Sequence, residues 1–122
     1  MSARLPPVLV VDDEKNMRLS LQTVLGDEGY IARAVESAEE GLRRLAHEDF
    51  FMVITDARLG GMSGYEFLGK IHRQWPDLST LMITAYATPK LAVEAIKAGA
   101  AAFIAGEASI AAAVLMMRYS SP

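Results

Sequence analysis

The stretch FMVITDARLGGMSG, Phe51 to Gly64, constrains the fold more than any other part of the chain. It opens as an apolar run rich in β-branched residues, Phe51-Met52-Val53-Ile54-Thr55, and stops at a carboxylate, Asp56. Three glycines and no regular pattern follow, until Tyr65. A run of this length, without alternation and bounded by turn residues, reads as a strand covered on both faces. Such strands belong to parallel sheets, and ligands bind outside their carboxyl ends. Asp56 stands at an end of that kind.

The other segments read as the scaffold around it. Val8-Leu9-Val10-Val11 is a second buried run and also ends in carboxylates, Asp12 and Asp13. From Lys15 to Glu28 the period is helical, with Met17, Leu21, Val24 and Leu25 on one face and Gly26 and Gly29 closing the helix. Tyr30 to Val35 reads as a short strand. Ser37-Ala38-Glu39-Glu40 and Ser63-Gly64-Tyr65-Glu66 each place a Glu three residues after a Ser, the pattern of a capping box. The first opens a helix to about His47 with Leu42, Leu45 and Ala46 facing inward. The second opens one to about Gln74 that buries Phe67, Leu68 and Ile71. After the turn Trp75-Pro76-Asp77, Ser79 to Thr84 forms a fourth strand, which ends in a hydroxyl. Thr88-Pro89 caps a further helix that stops at Ala98 and Gly99. Ala101 to Ala105 is a weak fifth strand, and Glu107 to about Tyr119 a last helix. Five βα units, each with a single crossover helix, predict parallel neighbours, right-handed connections and a three-layer α/β sandwich.

Composition narrows the function classes. A length of 122 residues fits one domain over residues 1–122 with a core that needs no staples. The apolar share of 52% argues against disorder. A net charge of -3 supplies no basic field for nucleic acid or anionic lipid. The absence of cysteine removes disulfides and thiolate metal sites and fits a reducing compartment. Met1 to Pro7 has no apolar signal core, and the longest apolar run, Ile110 to Met117, falls far short of the roughly 18–20 residues that span a bilayer. A soluble, cytoplasmic protein without nucleic-acid or membrane contact of its own is expected.

Three of the five strands end in polar groups: Asp12 and Asp13, Asp56, and Thr84. In a parallel sheet these ends share one edge, which gathers three carboxylates. Uncompensated, each close pair costs on the order of 4 kcal/mol at an effective dielectric near 20. Such a cluster persists with raised pKa values or a bound cation, and an all-oxygen, partly hydrated site suits Mg²⁺. With the cation in place the site favours a phosphoryl group, and an exposed carboxylate can act as nucleophile and form an acyl phosphate. Asp56, alone at its strand end, is the candidate nucleophile, with Asp12 and Asp13 as metal ligands and the Thr84 hydroxyl as donor to a phosphate oxygen. Each residue taken alone has a plainer reading as a solvated strand end. His47 and His72 have no paired acid and read as surface residues, and Arg43-Arg44 as a solvated helix face.

The segments VLVVDDE, ITDARLGGMSG, LMITAYAT and AVEAIKAGA, in that order from Val8 to Gly106, resemble the receiver domain of bacterial two-component response regulators. The last two are most similar to the NtrC-like class. The resemblance implies a flavodoxin-like (βα)5 doubly wound sandwich with parallel sheet order 2-1-3-4-5. It implies Asp56 as phosphoacceptor from a sensor histidine kinase or phosphotransfer protein. It further implies Mg²⁺ held by Asp12, Asp13, Asp56 and the backbone carbonyl of Arg58. Thr84 matches the switch hydroxyl and Phe103 the aromatic switch position. The output would pass through the fourth helix, fifth strand and fifth helix, in most such proteins toward transcription. A conventional enzyme is not implied; at most, weak Mg²⁺-dependent autophosphorylation and autodephosphorylation are.

The chain departs from the family at three places. Gly106 and Glu107 stand where receivers carry a Lys-Pro pair, and Lys97, expected on the outer face of its helix, is a poor substitute. The loop after Asp56 reads Leu59-Gly60-Gly61 where Met/Leu-Pro-Gly is usual, which loosens it. The last helix has almost no charge from Ala108 to Met117, so a homodimer through that helix is expected. The missing Lys predicts that Mg²⁺ binding and phosphorylation persist while switching is reduced or rewired. It also keeps open an alternative of another class, a degenerate receiver acting as a phosphorylation-independent protein-interaction module. A flavin carrier or phosphatase of the same fold is disfavoured: Asp12-Asp13-Glu14 would repel a phosphate unless a metal intervened, and the two Asp are adjacent rather than spaced by one. The chain reads as either a stand-alone receiver or a fragment of a longer regulator.

Overall fold

The computed structural model describes residues 6–84 and 88–105. The elements run β1 (Val8–Val11), α1 (Lys15–Asp27), β2 (Ala32–Val35), α2 (Ala38–His47), β3 (Met52–Asp56), α3 (Gly64–Gln74), β4 (Ser79–Thr84), α4 (Pro89–Ala98) and β5 (Ala102–Ala105). Gly106, Glu107 and the expected last helix lie outside the described residues, and with them the proposed gap at the Lys position and the dimer contact.

The five strands form one parallel sheet in the order β2-β1-β3-β4-β5, as the resemblance implied. Both faces are covered, which is why the strands read as unbroken apolar runs. Val8, Val10, Met52, Ile54, Leu81 and Ile83 pack against Leu21 and Leu25 of α1. The intervening Leu9, Val11 and Val53 face Ala38 and Leu45 of α2 and Phe67 and Ile71 of α3. Further along the same face, Met82 packs with Leu68 of α3 and Ala95 of α4.

Two expectations shift. The second strand starts at Ala32 rather than Tyr30, because Tyr30 belongs to the closure of α1. Its N–H bonds the Leu25 carbonyl and that of Gly29 the Gly26 carbonyl, with Gly29 at φ 93°, a Schellman closure. Tyr30 then stacks on Phe51 with ring centroids 6.2 Å apart. In α2, Ala46 is exposed, and Gly41 takes the inward position in its place. A Cβ on Gly41 would meet the Phe67 ring at 2.9 Å, so the helix needs a glycine to approach the sheet.

The helix starts keep half of each expected capping box. Ser37 Oγ accepts from the Glu40 N–H at 3.1 Å, and Ser63 Oγ from the Glu66 N–H at 3.2 Å. The Glu40 carboxylate turns outward to Arg43 and Arg44, which form the solvated face anticipated for them. Replacing Ser63 by Ala is expected to cost about 1 kcal/mol, read as a lower urea midpoint with an unchanged slope.

Candidate functional site

The register brings the acidic strand ends together. Val11 pairs with Thr55, so Asp12 and Asp56 leave the sheet side by side. One carboxylate oxygen from each of Asp12, Asp13 and Asp56 lies within 4.8 Å of the others. Asp12 is 7% exposed, Asp56 half-buried and Asp13 exposed. Asp12 Oδ1 accepts from the Glu14 N–H at 2.8 Å, and its main-chain carbonyl accepts from Arg18 Nη1 at 2.8 Å. The Asp56 carboxylate accepts from the N–H groups of Arg58 and Ala57.

Burial raises both buried carboxyls. Asp12 is pushed to about 6, chiefly by desolvation, with Asp56 and Asp13 adding repulsion against the lowering bond from Glu14. Asp56 is also raised by desolvation, opposed by the Arg58 and Ala57 N–H groups. Between the unfolded value of 3.8 and about 6, the folded state binds more protons than the unfolded chain. Without a cation, stability therefore falls as pH rises through that window and stays low above it. Asp12→Asn keeps the acceptor for Glu14 and removes the charge. It is expected to raise the metal-free stability near neutral pH by about 2 kcal/mol and to flatten the slope. Urea titrations from pH 4 to 8 without divalent cations measure both; a variant with the parent's slope would refute the assignment to Asp12.

Thr84 ends β4 one residue beyond Ile83, the register partner of Asp56, and is 3% exposed. It thus stands at the same edge. Phe103, on β5, pairs with Met82 of β4 and packs, partly buried, against the cluster of Ala57, Leu68, Met82, Ala95 and Ala100. It belongs to the α3–α4 side of the core, two strands from Asp56 and three from Asp12 and Asp13. Lys97 is exposed on α4, as expected. Three neighbours of the site carry no sequence signal: Arg18 on the Asp12 carbonyl, Tyr65, and Glu39. The Tyr65 hydroxyl is buried and lacks a hydrogen-bond partner among the described residues. Glu39 lies inside the Ser37 to Glu40 segment without being its capping Glu, and its carboxylate accepts from the Met62 N–H at 3.2 Å.

Sheet order and an acidic trio at the carboxyl edge define a receiver-type α/β domain. The family model of the response regulator receiver domain matches residues 8–116. The response regulator protein FleR of Pseudomonas aeruginosa is 41% identical over 97 residues, 80% of this chain and 20% of that protein. The C4-dicarboxylate transport transcriptional regulatory protein DctD of Rhizobium meliloti is 35% identical, over 82% of this chain and 22% of that protein. A crystal structure of a CheY-like response regulator receiver domain protein from Methanospirillum hungatei superposes with a TM-score of 0.88 at 30% identity, covering 94% of this chain and 92% of that one. The chain belongs to the receiver domain family of two-component response regulators, with NtrC-like regulators among its relatives. It spans about a fifth of the length of these curated relatives. The phosphorylation-independent alternative finds no support, since the three carboxylates are assembled at one strand edge. Among the described residues no helix is long and apolar enough to cross a membrane.

Proposed function

We propose that this receiver is a phosphorylatable switch in which Asp56 accepts a phosphoryl group from a sensor histidine kinase or a phosphotransfer protein. The convergence of the Asp12, Asp13 and Asp56 oxygens within 4.8 Å carries the reading. An all-carboxylate donor set, with two members raised by burial and mutual repulsion, suits a hard divalent cation. Asp12, Asp13, Asp56 and the Arg58 carbonyl would hold Mg²⁺. Bound there, it supplies positive charge against the carboxylates and the incoming phosphoryl oxygens. A carboxylate oxygen of Asp56 bonds to phosphorus as the donor histidine's nitrogen–phosphorus bond breaks, the electron pair staying on that nitrogen. The Ala57 and Arg58 N–H groups orient the Asp56 carboxylate. Thr84 donates its hydroxyl to a phosphoryl oxygen, and Phe103 repacks with it.

The output surface in this reading is α4, β5 and the last helix, and the target is transcription, as for the relatives. Val93 and Ile96 support it: they are large apolar residues of α4, 53% and 52% exposed. Homodimerisation through the apolar run Ile110 to Met117 and a cytoplasmic location complete the proposal. Incubation with acetyl phosphate and Mg²⁺ tests it by intact mass. A gain of one phosphoryl group that is lost without the cation is expected; a folded protein that gains none would overturn the reading.

A further inference from the structure

Glu39 is a carboxylate that the chemistry above does not use. It lies in the first turn of α2, yet it reaches the loop that follows Asp56. Its Oε2 accepts from the Met62 N–H at 3.2 Å, across 23 positions of sequence. The same oxygen stands 2.9 Å from where a Cβ on residue 61 would be, with Oε1 at 3.5 Å and Cδ at 3.6 Å. Gly61 is left-handed, at φ +76°. The loop therefore passes beneath the carboxylate on a bare glycine, and the Glu39 head fills the space of a side chain. On the core side, Leu59 and Met62 pack against the α2–α3 cluster. A Cβ on Gly60 would meet nothing within 4 Å. A loop without the usual proline is thus held by one polar contact from outside and two apolar ones on the core side.

We propose that Glu39 is a positioning residue for the cation site: by holding residues 59–62 it fixes the backbone of Arg58. The N–H of Arg58 already orients Asp56. Its carbonyl is a metal ligand in the function proposed above, and the inference rests on that reading. Groups that orient ligands in this way commonly set metal affinity within about 10–100-fold. A competing cause is the negative charge of Glu39, acting through space.

Mg²⁺ titration followed by amide NMR, together with hydrogen exchange at the Met62 amide in the metal-free protein, separates these causes. Glu39→Ala is expected to weaken Mg²⁺ about 10-fold and to speed Met62 exchange several-fold. Glu39→Gln keeps an acceptor and should stay within about 3-fold of the parent. Glu39→Asp keeps the charge but is one methylene too short to reach the Met62 N–H, and should behave like Glu39→Ala. If Glu39→Ala binds as tightly as the parent, the positioning role is wrong and the function stands. If Glu39→Gln weakens binding as much as Glu39→Ala while Glu39→Asp does not, the effect is one of charge and the role is again wrong. If the parent itself binds no Mg²⁺, the function proposed above fails and this inference fails with it.

Discussion

Asp56→Asn is expected to abolish phosphoryl uptake while leaving the fold intact. The amide is nearly isosteric, and its oxygen can still accept from the Ala57 and Arg58 N–H groups that orient the carboxylate. It lacks the anionic oxygen that must bond to phosphorus, so the mass gain with acetyl phosphate and Mg²⁺ should vanish. Removing one of three crowded charges should also relieve repulsion on Asp12, whose carboxyl is raised partly by Asp56. The variant should therefore unfold no more easily than the parent in the absence of a cation. Loss of uptake together with loss of fold would leave the role of Asp56 to a second probe, a Mg²⁺-dependent beryllofluoride complex of the parent seen as amide shifts at Asp56. A variant that gains the same mass as the parent would place the acceptor elsewhere, Asp13 being the exposed neighbour.

Gly64→Ala is expected to destabilise the domain by about 3 kcal/mol, although it adds a good helix former at the first turn of α3. A Cβ there would meet the Asp56 carbonyl oxygen at 2.3 Å, the Ala57 Cα at 2.9 Å and the Ala57 carbonyl oxygen at 3.1 Å. All three are backbone atoms, so no rotamer change relieves the clash. The Gly64 N–H also bonds the Ala57 carbonyl at 3.1 Å, which ties the start of α3 to the end of β3. Forcing the two apart should disturb the Asp56 carboxylate as well as the fold. Gly69→Ala is the control in the same helix. Its nearest neighbour would be an Arg73 guanidinium nitrogen at 3.8 Å, so ordinary propensity should prevail and stability rise by up to about 1 kcal/mol. Urea unfolding of both variants decides the matter: a Gly64→Ala variant as stable as the parent or more so, like Gly69→Ala, would mean that the approach at Gly64 is not tight.

Both strand ends of the site were legible because the signal is local. Val8 to Val11 and Phe51 to Thr55 are apolar without alternation, and a carboxylate follows each. Thr84 was found in the same way. Phe103 and Arg58 came only with the family resemblance, since nothing in their neighbours marks an aromatic on a weak strand or a main-chain oxygen. Helical period alone misplaces Ala46: Gly41, with no side chain to register as apolar, leaves room against α2 for the Phe67 ring of α3. Tyr30 read as strand because it is aromatic and β-prone, but the Schellman closure and the stacking on Phe51 claimed it.

Local side-chain pattern sets the alternation of strands and helices, the helix starts at Ser37, Ser63 and Thr88, and the acids at the strand ends. Those features follow from side-chain period and caps, which act within a few residues. Which ends meet, and what braces them, follows from the order of the strands in the folded sheet. Insertion of β1 between β2 and β3 sets Asp12 beside Asp56 and raises both carboxyls by burial. Glu39 on Met62 and Gly64 against Asp56 are contacts between groups that only the folded chain brings within reach, and no local period encodes them.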